Sequence, residues 1–328
     1  MNRNGKPMRA LVMVLAIGLL MLGIAPISSA GAEGAAPAQW KIKHDGETVK
    51  VSPLEKYGRL YVPAARIAQL YDAVASWDGS EEEVTIHTAV NDTIVFGNEV
   101  PVVYFNDGRY ISDAAPFMSD GSMYVPLRHL VELLHGQVKL DSETGVVELE
   151  TVKRAVISED YGLNEISDQT GHSKTALLKR NGLTAKSTLK EGARLKTVIP
   201  SLLSHEAPSY SEEDVKLLAK ITMVEAGYEP FEGQLAIANI ILNRVKDTRF
   251  PSSIRDVIYS GKQFPPAHNG LLDKSKPNAS VKRAVKQALD GKNNIDDAVY
   301  FFNPKVSTGP FWSNLDVVTT IGHHSFAK

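Results

Sequence analysis

The stretch Val224–Gln234, VEAGYEPFEGQ, sets three glutamates, Glu225, Glu229 and Glu232, within eight positions. Its reading decides the C-terminal fold, because one helix must stop near Gly227 and another must start after Pro230. Upstream, Ser211 followed by Asp214 has the spacing of a capping box. From there Val215, Leu218, Ile221 and Val224 or Glu225 fall on one face at helical spacing. Glu225 therefore sits on or beside the buried stripe, in the last turn of its helix. Burial disfavours an ionised carboxylate, and the negative end of the helix dipole disfavours it further. Both raise its pKa, as a general acid working near neutral pH requires. Glu229 precedes a proline and is expected in extended or turn backbone, either as a loop charge or as a second reactive carboxylate. Glu232 opens the next helix, where the dipole favours the ionised form, and reads as an ordinary first-turn charge.

The helix after Pro230, Gly233–Val245, is apolar nearly all round and must be buried on all sides. Asn239, Asn243 and Arg244 then need internal hydrogen-bond partners. Their expected role is to brace loops, the one holding Glu225 being a candidate.

The whole chain has 328 residues, 43% hydrophobic and 23% charged, with a formal net charge of −2. That length allows two or three globular domains, and the composition argues against wholesale disorder. Arg3, Lys6 and Arg9 precede the apolar run Ala10–Ile24, then Pro26 and the small residues Ser28-Ser29-Ala30. This order reads as a signal peptide over 1–30, cleaved rather than kept as an anchor, with a flexible mature start over 31–39. A secreted protein associated with the cell wall or spore envelope is the expectation, with no membrane contact after cleavage. Cysteine is absent, which rules out disulfides, thiol chemistry and thiolate metal sites. The slight basic excess after Ser211 suits an anionic wall polymer and is too diffuse for nucleic acid.

The N-terminal half holds an internal repeat. GRLYVPAARIAQLYDAVASWDGSEEEVTIHT starts at Gly58 and GSMYVPLRHLVELLHGQVKLDSETGVVELET at Gly121. Each reads as a strand ending in Tyr-Val-Pro, an amphipathic helix with Pro63 or Pro126 in its first turn, and a hairpin. Over residues 40–151 the pair resembles the copper amine oxidase N-terminal-like domain of exported bacterial proteins. No copper follows from the resemblance, because His44, His87, His129 and His135 lack paired ligand spacing. Residues 156–200 read strand, helix, turn, helix, strand, with Leu163, Ile166, Leu177 and Leu178 on helix faces and Asn181-Gly182 closing the second helix. Asn181-Gly-Leu183 and Glu191-Gly-Ala-Arg-Leu-Lys-Thr-Val198 resemble a LysM domain, a small βααβ module that binds N-acetylglucosamine polymers. Ser158-Glu-Asp160 departs from the usual Gly-Asp opening. Residues 201–210, within a Pro- and Ser-rich stretch, read as a linker, and 211–328 as the catalytic domain.

That last segment resembles the cell-wall hydrolase family typified by spore-cortex-lytic enzymes. Five blocks carry the likeness: VEAGYEPFEGQLAIANIILNRV, RFPSSIRDVIYSGKQF, ASVKRAVKQALDG, AVYFFNP and TIGHHSFAK. Gly227-Tyr228 stands where the family has Arg-Gly, and Pro265-Pro266 where it has a serine. By position the family's catalytic glutamate falls on Glu225. The resemblance implies a mainly α-helical, lysozyme-like fold acting on peptidoglycan glycan strands, most often by lytic transglycosylation and without a cofactor. Sugar subsites want flat apolar faces beside amides, which Phe264, Tyr300, Phe302, Asn303 and Trp312 offer, with Gln234 and His323 as further contacts. Hydrolysis by two carboxylates, with Glu229 as the second, is the alternative, and a glycan binder without activity is another. A zinc amidase using His268, His323 and His324 is disfavoured, since adjacent histidines point apart and no His-x-x-Glu-His pattern is present.

Overall fold

The Tyr-Val-Pro strands organise the N-terminal half. In the computed structural model, which describes residues 40–261 and 263–328, Arg59–Pro63 and Ser122–Pro126 pair antiparallel with Val62 opposite Val125. Each strand runs directly into a seven-residue helix, α1 (Ala64–Leu70) and α2 (Leu127–Leu133). The prolines sit at the caps, one residue earlier than expected, and set the extended backbone before the first turn. Both helices leave through a left-handed residue eleven positions after the tyrosine, Asp72 (φ 53°) and His135 (φ 66°). The repeat is therefore a repeat of backbone conformation, with the strand pair near its local two-fold.

After α1 the chain forms an antiparallel meander of five strands: Val74–Asp78, Glu83–His87, Thr93–Gly97, Val102–Phe105 and Gly108–Ile111. After α2, the hairpin Gly136–Asp141/Val146–Thr151 receives Lys41–His44 as a parallel neighbour. Ile42, Val62, Ile67, Ile86, Ile94, Phe96, Leu130 and Leu149 are all fully buried in the one core these pieces share.

Residues 155–195 form a short strand pair, Ala155–Val156 with Arg194–Leu195, around α3 (Leu163–Thr170) and α4 (Lys174–Arg180). Ile166 and Leu177 fill the small core between them, and Gly182 takes the left-handed exit after α4. This unit is pinned to the repeat module by buried charge. The Asp92 carboxylate, fully buried, accepts from Arg180 (2.6 Å) and from Lys196 (2.6 Å). Burial works to raise the Asp92 pKa, and the two cations outweigh it and hold the group below the usual carboxylate range. His135, pushed down to about 4 by burial, stays neutral; its Nδ1–H donates to the Val152 carbonyl, and Nε2 accepts from Thr197 N–H (2.9 Å).

The stretch expected to be a linker is stitched down. Ser201–Ser204 forms a 3₁₀ turn that buries Leu202 in the repeat core, and Ile111 N–H and Ala207 N–H bond across to the His205 and Arg109 carbonyls. Residues Trp40–Lys328 accordingly make one compact unit. The signal peptide and mature N-terminus expected over 1–39 lie outside the described residues; among those described, no helix is long and apolar enough to cross a membrane.

The C-terminal part is built on α5 (Glu212–Ala226) and α6 (Phe231–Lys246), then α7 (Ile254–Tyr259), α8 (Leu271–Lys274), α9 (Ala279–Leu289) and α10 (Pro310–Ser313). The expectation of a mainly helical domain missed a three-stranded antiparallel sheet, Tyr300–Phe302, His324–Ala327 and Val317–Ile321, which closes over α6. Its last two strands are joined by a tight turn at Gly322-His323. The sheet and α9 meet the rest differently. The end of α9 docks on the repeat module, where Asp290 accepts from Arg109 (2.6 Å) and Tyr104 (2.8 Å), and Arg283 donates to the Ser80 carbonyl (2.6 Å).

The Asp92 cluster yields a direct test. Asp92→Asn leaves Arg180 and Lys196 buried or half-buried without a carboxylate, a loss of about 3–5 kcal/mol. Urea unfolding of the full chain should show that drop, whereas Asp92→Leu combined with Arg180→Met should recover most of it.

Candidate active site

Of the capping box expected at the start of α5 the N-cap half forms: Ser211 Oγ accepts from Asp214 N–H (3.1 Å), while the Asp214 carboxylate accepts from the Ser211 hydroxyl (2.7 Å) in place of the Ser211 backbone N–H. Leu218 and Ile221 are fully buried, as their spacing requires, but Val215 is 38% exposed and lies off the buried stripe. Glu225 stands in the last turn, between the fully buried face and the surface, with buried Ala226 packed on Ala236 and Ile237 of α6.

The carboxyl of Glu225 has no hydrogen bond or ion pair to any described residue, and burial alone pushes its pKa up to about 7. A cation beside it would cancel that shift. None is placed there among the described residues, so the group holds its proton into the neutral range while remaining open to the surface.

The following loop is built tightly. Gly227 closes α5, and a Cβ there would run into the Met223 carbonyl and thioether. The family's arginine at this place could not be accommodated in this backbone. Tyr228 is fully exposed three residues beyond Glu225. Glu229 N–H bonds the Ala226 carbonyl, and Gln234, itself 4% exposed, donates to the Glu229 carbonyl (3.0 Å) while accepting from Ser280 of α9 (2.7 Å). Gln234 thus spends both ends of its amide on holding the loop, which leaves no free amide for a substrate contact.

Glu229 is engaged from the other side. Its Oε1 meets His323 Nδ1 (2.8 Å) and its Oε2 accepts the His323 backbone N–H (3.1 Å). Burial works to raise its pKa, but the His323 amide and ring outweigh burial and hold the carboxylate ionised, below its ordinary range. The turn must carry glycine before His323. Gly322 has φ 60°, and a Cβ there would collide with Glu229 Oε2 and sit 3.2 Å from Pro230 Cδ. His324 also turns toward Glu229, its Nδ1 4.0 Å from Oε1, so the adjacent histidines do not point apart as expected; its ring packs edge-on against Phe301 (5.5 Å), and burial lowers its pKa. Glu232, in the first turn of α6, accepts from Asn294.

The polar residues of α6 brace a different loop from the one expected. Asn239 donates to the Lys292 carbonyl, Asn243 to those of Asp296 and Ala298, and Arg244 to that of Val299. They fix residues 292–299, which lead into the sheet, and not the loop behind Glu225. Arg244 lies between the rings of Phe250 and Phe264, each 5.2 Å from the guanidinium.

The expected sugar-facing aromatics separate into two groups. Phe264 is fully buried in the helical core and can offer no face to a ligand. Phe302 is 9% exposed and packs on Trp312 (5.1 Å). Tyr300 stands edge-on to Phe250 and Phe311, and Trp312 edge-on to Phe311. Asn303 uses its side chain to cap the turn at Lys305 N–H (3.0 Å). The open aromatic surface therefore includes Phe311, 55% exposed, and Tyr228, both passed over in the sequence. Phe311 could have been flagged by its place beside Trp312. The largest of the clefts among the described residues, about 980 Å³, and another of about 540 Å³ lie against the repeat module and the α3–α4 unit. Unpaired burial of an acid, rather than volume, singles out Glu225. No group of three or more His, Asp or Glu among the described residues could hold a metal.

Comparison with known proteins finds relatives for two segments of the chain. Residues 228–327 match the Cell Wall Hydrolase family, and residues 43–149 match the Copper amine oxidase N-terminal domain. The C-terminal segment is a cell wall hydrolase domain. The match opens at Tyr228, so Glu225 stands just outside it and rests on its own chemistry. Two similar curated proteins are the spore cortex-lytic enzymes of Bacillus subtilis (36% identity over 119 residues, 36% of this chain and 39% of that protein) and Bacillus cereus (34% over 119 residues, 36% and 46%). The chain thus spans less than half the length of these relatives. Among solved structures, the catalytic domain of the germination-specific lytic transglycosylase SleB from Bacillus anthracis is 33% identical, covering 37% of this chain and 98% of that domain, with a TM-score of 0.35. The SleB catalytic domain of Bacillus cereus is 34% identical at the same score. These scores are too low to argue a shared fold, and the resemblance stands on sequence.

A folded-state pKa raised above the unfolded value means that the neutral Glu225 stabilises the fold at low pH, and that this contribution is lost as pH rises through about 7. The loss is of the order of 3 kcal/mol. Glu225→Gln should therefore match the wild type in stability near pH 4 and exceed it near pH 8, measured by denaturant unfolding at both pH values.

Proposed function

We propose that this protein is a peptidoglycan-degrading enzyme that cleaves the bond between N-acetylmuramic acid and N-acetylglucosamine as a lytic transglycosylase, with Glu225 as its only catalytic carboxyl group. The observation that carries the reading is the unpaired, half-buried carboxyl at the end of α5, kept protonated to about pH 7 by burial alone. In that state Glu225 protonates the leaving glycosidic oxygen. The resulting carboxylate then takes the proton of the muramoyl C6 hydroxyl as that oxygen closes on C1, giving a 1,6-anhydromuramoyl end. The nucleophile belongs to the substrate, so proximity stands in for a second carboxylate.

Two-carboxylate hydrolysis would require Glu229 to face the bond opposite Glu225. Both Glu229 oxygens are occupied by His323 and the side chain is only 10% exposed, which favours a bracing role. The exposed Phe311, the half-buried Trp312 and Tyr300, and Tyr228, three residues beyond Glu225, supply apolar faces suited to sugar rings. The strand–helix–helix–strand unit over 155–195 supports a LysM-like glycan contact, and the spore-cortex-lytic names of the relatives suggest cortex as one substrate. The same relatives support placement at the wall or spore envelope.

Mass spectrometry of digested sacculi should find anhydromuropeptides from the wild-type chain, and Glu225→Gln should lower their rate of release about 10²- to 10⁴-fold. Products carrying only reducing ends would point to hydrolysis instead, and an unchanged rate for Glu225→Gln would remove Glu225 from the reaction.

A further inference from the structure

Val215 was expected inside and is found exposed, and its surroundings explain where it points. It lies in a groove of about 720 Å³ between α5 and the segment Ser275–Lys282. Lys216, on this face, is nine residues from Glu225, two and a half helical turns, so the groove lies on the opposite side of α5 from the catalytic group. Four lysines, Lys216, Lys220, Lys276 and Lys282, line it against a single acid, Glu212. Lys220 reaches the Asp273 carbonyl at 3.5 Å.

None of these four ammonium groups forms an ion pair with a described residue, whereas Lys139, Lys196, Lys286, Lys292 and Lys328 each meet a carboxylate. Lys216 and Lys220 are also four apart on one helix, where like charges weaken it. Apart from the Lys220 contact and the i, i+4 spacing of Glu212 and Lys216, folding gains little from this arrangement. Between the lysines the groove offers Val215, Ala219 and Pro277, a floor of small apolar surface.

A partner must satisfy both features, fixed negative charge at the rim and small apolar groups below. We propose that the groove is a second binding site for peptidoglycan, taking its peptide branches, short chains in which small apolar residues alternate with free carboxylates. A phosphodiester polymer would supply the charge but little to cover the apolar floor. The proposal rests on the wall substrate argued above and adds a site for a neighbouring strand, on the far side of α5 from the bond being cut.

The test compares two probes on the full chain by calorimetric titration: a disaccharide carrying its peptide branch, and the same disaccharide without it. The peptide-bearing probe should bind more tightly, and more weakly as salt rises. Lys216→Glu combined with Lys282→Glu should weaken that binding about five- to tenfold, Lys216→Arg with Lys282→Arg should retain it, and all should cleave peptide-free glycan strands at the wild-type rate. Equal binding of the two probes, or no effect of charge reversal, would overturn the proposal. Preferential binding of poly(glycerol phosphate) over the peptide-bearing probe would overturn it as well. Failure of the wild-type chain to cleave peptide-free strands would instead count against the catalytic reading, since the titration does not depend on cleavage.

Discussion

A carboxyl group taken partly out of water, with no cation beside it among the described residues, is the constraint around which the C-terminal domain is arranged. The contrast with other buried acids in the chain is direct. Asp92 has Arg180 and Lys196, Asp290 has Arg109 and Tyr104, and Glu229 has both the amide and the ring of His323. Those partners tie their acids into the fold. Glu225 has no such partner among the described residues, and desolvation raises its proton affinity. An acid of that kind destabilises the fold when it ionises, and such a feature persists where function requires it.

Keeping one side chain in that state requires a stiff frame. The buried helix α6 supplies it, with Gln234 tying the loop after Glu225 to α9 and with Asn239, Asn243 and Arg244 holding residues 292–299 in the approach to the sheet. The hairpin turn at Gly322-His323 then locks Glu229, four residues past Glu225, from the opposite side. The repeat module joins this frame through Asp290 and Arg283. Arg283 also lies over the ring of Phe231, the first residue of α6, at 3.9 Å. The N-terminal half is thereby fixed to the catalytic half and not merely tethered to it.

Much of this was legible in the sequence where local rules govern. The Tyr-Val-Pro repeat, the N-cap at Ser211, the all-round apolar α6 and the placement of Glu225 in a last turn each follow from spacing and residue type. Four things were not legible, because a distant segment, or the lack of one, decides them. Phe264 and Gln234 read as groove residues by type, but Phe264 is claimed by the helical core and Gln234 by a hydrogen bond from Ser280. The closing TIGHHSFAK reads as a helical-domain tail until Phe302 is seen to pair with Ser325 in a sheet. Residues 201–210 have linker composition, yet Leu202 fits a core formed more than fifty residues upstream. Val215 obeys the helical period and is nevertheless exposed, because no apolar element covers that side of α5.

The most direct measurement is an NMR titration of the Glu225 side-chain carboxyl in the full-length protein, assigned by comparison with Glu225→Gln. The account predicts a midpoint near 7, well above the other glutamates. A midpoint near the ordinary glutamate value of about 4.3 would contradict it, for the group would then be ionised at neutral pH and have no proton to give.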